Sequence, residues 1–366
     1  MTTSSAINGT YHLPGDIDIS FTDSGAPPDS KDYTTLIIFP GSAFTRDSFE
    51  KLPQVAHSFN LRTVVASRRG YPGSTSYTED ELEDLNQGRK AHLDKLGSLV
   101  GSFVEKFIDE NENSESGPIP KIGEEGRTGG IAITGWSSGA ITAMSMFADP
   151  ALVSGRAYSL LQKYVKDLVI YDAPAIAFGY PYLNDMYYPW LDKDVNSPEE
   201  MSKNLVSWAS SYYSHPNPHG PSTSLLDSRK LTDHQSKWTP EEQDKFFHKP
   251  SVSQELSVFG PMQPAINTMA KEVLFNPDLA SSYFPSLKLT YLVCTRSNWL
   301  SAWGAIETRR IYVEEYMKLP SSERLRELEF VPIEGANHMV HWDDPEGFLD
   351  AVLESIQGDR SGSASR

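Results

Sequence analysis

Residues 131–147 place the tightest constraint on how this chain can fold. Ile131-Ala132-Ile133-Thr134 leads through Gly135-Trp136-Ser137-Ser138-Gly139 into the small-residue helical stretch Ala140 to Phe147. A short run without alternating polar positions reads as a strand buried on both faces, as in mainly parallel sheets covered by helices. Small residues two before and two after Ser137 allow strand and helix to approach closely around a sharp turn, which lifts the serine hydroxyl to its apex. The helix N-terminus then places partial positive charge where negative charge would develop. A lone G-x-S-x-G string is common; its position between a buried strand and a helix gives it weight. Ser138 lies off the apex, so its backbone N–H suits an oxyanion hole better than its hydroxyl suits attack.

The rest of the chain repeats this alternation. Apolar runs at 35–39, 62–66, 168–171, 287–293 and 328–333 read as further strands. Helical spacing recurs over 79–107 and again over 345–356. Strand–helix alternation predicts an α/β fold with a doubly wound, mostly parallel sheet. Residues 176–285 break the rhythm: they are strand-poor and heavy in Tyr, Trp and Pro, with helical pieces at 199–208 and 264–274. They read as an inserted, mainly helical cap, leaving 1–175 and 286–366 as the core. The Ser/Gly-rich tail 358–366 is expected to be disordered. A length of 366 residues suits one large domain with such an insertion.

Charge and composition exclude several classes. The net charge of −17, with no basic stripe, argues against nucleic acid and anionic membrane as partners. No apolar stretch approaches the roughly 20 residues of a membrane span. The single cysteine, Cys294, rules out an internal disulfide, and no secretory signal precedes the first strand, so a cytoplasmic location is expected. There is no phosphate loop, dinucleotide fingerprint or Cys/His metal spacing, so neither cofactor nor metal is expected. The pair His215 and His219 sits in a proline-bounded turn, which reads as chance rather than as metal ligands. A small hydrophobic molecule is the expected partner, and a homodimer is left open.

A base for Ser137 is expected from the loop after the last strand. In Glu334-Gly335-Ala336-Asn337-His338-Met339-Val340-His341, His338 follows the flexible Gly-Ala-Asn and is preferred over His341, which reads as structural or as cavity wall. With these residues in view, the chain resembles the α/β-hydrolase superfamily, in the branch with a helical cap between the sixth and seventh core strands. The resemblance covers about residues 11 to 357 and rests on TLIIFPGSAF, RRGYPGS, GWSSG and EGANHMVHWDDPEGF. Members commonly open the first of these loops with His-Gly, where Pro40-Gly41 stands here. The resemblance carries over Ser42 as the second oxyanion donor beside Ser138, or Ala43 if the loop is shifted by one. Most members place the acid after the seventh strand, but Cys294-Thr295-Arg296-Ser297-Asn298 holds no carboxylate. Some branches place it after the sixth, which makes Asp172 the candidate. Asn298 and Glu334 are weaker alternatives.

A serine at the elbow favours acyl transfer, whereas relatives that open epoxides or displace halide carry Asp there. The expected activity is therefore hydrolysis of an ester or lactone. The aromatic residues Trp136, Tyr180, Tyr187, Tyr188 and Trp190 are expected to bind a bulky hydrophobic or aromatic substrate. Two rival readings stay open. One is C–C bond hydrolysis, lyase or non-hydrolytic biosynthetic chemistry on the same fold; the other is a ligand-binding protein with degraded catalysis.

Overall fold

The computed structural model describes residues 6–112, 118–123, 125–184, 186–217, 220, 222, 224, 226–230 and 238–357. The tail 358–366, part of the polar loop at 113–117 and His219 lie outside the described residues. The sheet has eight strands: β1 (Ile7–Leu13), β2 (Ile17–Asp23), β3 (Thr34–Phe39), β4 (Leu61–Ala66), β5 (Ile131–Trp136), β6 (Val165–Tyr171), β7 (Lys288–Cys294) and β8 (Leu328–Ile333). Their order is β1-β2-β4-β3-β5-β6-β7-β8. β1 and β2 pair antiparallel, β2 joins β4 antiparallel, and every pairing from β4 to β8 is parallel.

Burial follows the sequence pattern. Every residue of β3, β4, β5 and β6 is buried, which is why those runs lack alternation. β8 is the opposite edge, half-exposed, and tolerates Pro332 because no further strand needs its missing N–H. The chain leaves β3 towards β4 on one side and leaves β5 towards β6 on the other. The carboxyl ends of β3 and β5 therefore flank the switch point where ligands of open α/β sheets bind.

The expected helix over 79–107 is two helices, Glu79–Asn86 and Lys90–Asn111. Gly88 breaks it, with φ of +65°. A Cβ there would stand 2.2 Å from the Pro261 carbonyl oxygen. The apolar spacing runs on through this junction, so periodicity alone did not reveal it. Between β6 and β7 the described residues hold helices at Pro198–Ser210, Pro240–Phe246, Lys249–Glu255, Gln263–Phe275 and Pro277–Ser282. Of these, Gln263–Phe275 packs directly on the core helices Lys90–Asn111 and Gly139–Ser145. No helix among the described residues is long and apolar enough to cross a membrane.

Candidate active site

The turn after β5 has the strain its sequence requires. Ser137 adopts φ of +56°, a left-handed conformation that non-glycine residues seldom take outside functional turns. Its N–H donates to the Tyr171 carbonyl at 2.9 Å, which locks the turn to β6. The flanking glycines are required by contact rather than by torsion. A Cβ on Gly135 would lie 2.5 Å from Ala140 Cα, and one on Gly139 would lie 2.2 Å from the Phe39 carbonyl oxygen.

Three loops meet here. Asp172, one residue past β6, is buried with φ of +46° and turns its carboxylate towards the β8 side. His338 Nδ1 lies 2.5 Å from Asp172 Oδ2. An ionised carboxylate only accepts, so the ring proton sits on Nδ1, leaving Nε2 for the cavity His338 shares with Ser137. Backbone ties fix the His338 loop. Trp136 Nε1–H donates to the His338 carbonyl at 3.0 Å, Asn337 Nδ2–H to the Ser210 carbonyl at 2.8 Å, and Arg296 N–H to the Ala336 carbonyl at 2.8 Å. His341 stacks on Phe49 at 4.0 Å and takes Tyr171 OH on Nδ1 at 2.9 Å. Its complete burial, helped by neighbouring His338 and Lys51, holds it well below the usual histidine range and therefore neutral.

Asp172 has further partners. Ser297 Oγ–H donates to Oδ2 at 2.5 Å and Cys294 N–H to Oδ1 at 3.1 Å. Ser297 is the residue that sequence reasoning passed over. It stands in the very segment searched for an acid, but a serine there carries no signal of its own. Of the alternatives, Asn298 caps the helix Trp299–Lys318 by accepting the Ser301 N–H, and Glu334 is exposed.

Both candidates for the second oxyanion amide, Ser42 and its alternative Ala43, are engaged. Ser42 N–H donates to Ser138 Oγ at 2.6 Å, and the two serine hydroxyls are also 2.6 Å apart. Ala43 N–H donates to Tyr71 OH at 2.7 Å and to Glu255 Oε2 at 3.1 Å. Gly41 runs flat against Ser137, close enough that a Cβ would meet the serine Cβ at 2.7 Å.

The cavity holding Ser137, Ser138, Ser42 and His338 measures about 50 Å3 and is walled mainly by Phe44, Ile176, Trp190, Leu205, Trp208 and Phe259. Of the five aromatic residues expected to bind substrate, only Trp190 lines it. Trp136 is wholly buried beside His338 and braces its loop. Tyr180 is buried on Thr308, its hydroxyl 3.0 Å from Oγ1. Tyr187 bonds Asp192, and Tyr188 packs edge-on to Trp299. Composition cannot separate an aromatic that packs a subdomain from one that faces a ligand, and here most do the former. His215 donates from Nε2 to the Ser297 carbonyl at 2.8 Å and accepts the Asp227 N–H on Nδ1 at 3.0 Å, a structural pairing.

Comparison with known proteins agrees with this architecture. Residues 36–351 match the model of the alpha/beta hydrolase family. No curated protein matches the chain significantly in sequence. An epoxide hydrolase from Vigna radiata superposes with a TM-score of 0.51 at 13% identity, covering 98% of this chain and 100% of its own. Epoxide hydrolase I from potato, Solanum tuberosum, gives 0.50 at 15% identity, covering 97% and 100%. An N-formylmaleamic acid deformylase from Pseudomonas putida S16 gives 0.50 at 14%, covering 94% and 100%. These likenesses speak to fold alone. With a family match across most of its length and the eight-stranded sheet to go with it, the chain belongs to the α/β-hydrolase family.

Proposed function

We propose that this hydrolase-family protein is a serine esterase or lactonase that works through an acyl-enzyme. The observation carrying the reading is the convergence of a strained Ser137 apex, a His338 lining the same cavity and a carboxylate 2.5 Å from His338 Nδ1. In this reading Ser137 Oγ attacks the ester carbonyl carbon while His338 Nε2 takes its proton. Asp172 holds the Nδ1–H tautomer and stabilises the imidazolium that forms. The tetrahedral oxyanion is held by the Ser138 amide at the start of the helix Gly139–Ser145 and by the Ser42 amide once that is released from Ser138 Oγ. His338 then protonates the leaving alcohol, and a water deprotonated by the same ring cleaves the acyl-enzyme. Ser137 separates this protein from epoxide-opening chemistry, which needs a carboxylate nucleophile at the elbow.

The apolar wall supports a hydrophobic substrate. A volume of about 50 Å3 is far below the roughly 300 Å3 of a small-molecule site, so a bulky substrate enters only when the lid over 176–285 yields. The test is steady-state hydrolysis of a panel running from short-chain acetates to aryl and polycyclic esters and lactones, with Ser137→Ala and His338→Ala alongside. Turnover of the larger esters, lost by at least about 10³-fold in either variant, is the expected result. Far better turnover of short acetates would overturn the substrate class, and undiminished activity in Ser137→Ala would overturn the mechanism.

A further inference from the structure

Asp172 has to present one oxygen to His338 Nδ1, and the structure surrounds that oxygen with more than the histidine. Ser297 is fully buried three residues past β7, and its hydroxyl donates to Oδ2, the same atom that accepts from His338. Ser297 Oγ is itself only 3.4 Å from His338 Nδ1. With Cys294 N–H on Oδ1, both carboxylate oxygens are occupied and rotation about the Asp172 Cβ–Cγ bond is blocked.

Ser297 is held in turn. Its N–H donates to the Cys294 carbonyl at 3.1 Å, and its carbonyl accepts the His215 Nε2–H at 2.8 Å. His215 comes from the segment between β6 and β7 and is fixed in that tautomer by the Asp227 N–H on Nδ1. An element outside the sheet thus sets where this hydroxyl stands. A buried serine that merely satisfied itself could turn to a carbonyl of its own loop; this one is aimed at the shared oxygen of an Asp–His pair.

We propose that Ser297 is a positioning residue of the candidate triad, holding the Asp172 carboxylate on His338 Nδ1. The inference rests on the proposed function for its kinetic part only. Neither Asp172 nor Ser297 lines the cavity, so loss of the hydroxyl acts on kcat and leaves KM in place.

The experiment compares wild type with Ser297→Ala. Two readouts are taken: ester kinetics, and the downfield proton NMR resonance of His338 Nδ1–H, which needs no substrate. Thermal melting identifies any variant that fails to fold. Expected in Ser297→Ala are a kcat lower by about tenfold or more, as for loss of a hydrogen bond to a charged group, unchanged KM, and a shifted or exchange-broadened resonance. A Ser297→Ala protein with wild-type kcat and resonance would overturn the positioning role. If wild type itself turns over no ester, the proposed function fails, and the resonance alone still decides whether Ser297 orders the Asp–His pair.

Discussion

Ser138 stands between the candidate nucleophile and an amide expected to serve it. Its hydroxyl accepts the Ser42 N–H at 2.6 Å, so a substrate oxygen can take that amide only by displacing a hydrogen bond. Removing the hydroxyl removes the competition. Its loss does not cost the helix Gly139–Ser145 a side-chain cap, since Ser138 makes none. Ser138→Ala is therefore expected to raise kcat/KM by about two- to tenfold, the worth of one neutral hydrogen bond, in steady-state ester assays. A fall would show that the hydroxyl assists catalysis. At this scale the sequence was readable where chain order and local geometry coincide. Ser137 and His338 became candidates through a turn motif and through position after the last strand, and Asp172 through the resemblance to branches with the acid after the sixth strand. The Ser42–Ser138 and Ser297–Asp172 contacts were not readable, because each depends on side-chain rotamers where separate loops meet. Trp136 shows the same limit: next to the elbow serine in sequence, it packs on Phe44, Phe49 and His338 without lining the cavity.

Residues 41–45 form an element only because the segment 245–255 completes it. Thr45 N–H donates to the Phe246 carbonyl and His248 N–H to the Ala43 carbonyl, each at 2.7 Å, with Phe44 and Phe247 bridged between them. Below this, Glu255 accepts from Arg68 at 2.6 Å, from Tyr71 OH at 2.8 Å and from Ala43 N–H. Arg68 also donates to the Gly41 carbonyl at 2.9 Å. Residues 41–45 and the segment 245–255 are thus one hydrogen-bonded unit around a mostly buried ion pair. Glu255→Ala strands the Arg68 charge and is expected to cost about 3 kcal/mol or more in denaturant unfolding, with ester activity falling as the loop loosens. A change below 1 kcal/mol would mean that water replaces the carboxylate at no cost. The junction at Gly88 gives a second test. Its positive φ and the Pro261 carbonyl leave no room for a side chain, so Gly88→Ala is expected to destabilise by at least about 1 kcal/mol in the same assay. The ties between these two segments were illegible in sequence, since they join residues some 200 positions apart, in part through backbone groups that any residue carries.

For the molecule as a whole, the parallel sheet was the most legible feature, because strands buried on both faces write their burial directly into apolar runs. The antiparallel edge was only hinted at, since half-exposed strands such as β1 mix polar and apolar positions. The folded protein also keeps several histidines from protonating. His92, His215, His248 and His341 are all held below the usual value of 6.5, in each case first by burial. For a histidine with a depressed folded value, the unfolded chain binds the proton more readily. Stability is then intact above pH 6.5 and is lost as pH falls through and below it. Melting temperatures are expected to drop between pH 8 and pH 5.5, and an unchanged value would show that these rings are not held neutral. The central claim, an activated Ser137, is tested most directly by labelling the protein with a fluorophosphonate and locating the adduct by mass spectrometry. The adduct is expected on Ser137 in wild type, absent in Ser137→Ala and nearly absent in His338→Ala. A folded wild-type protein that takes no adduct, or takes it on another residue, would contradict the account.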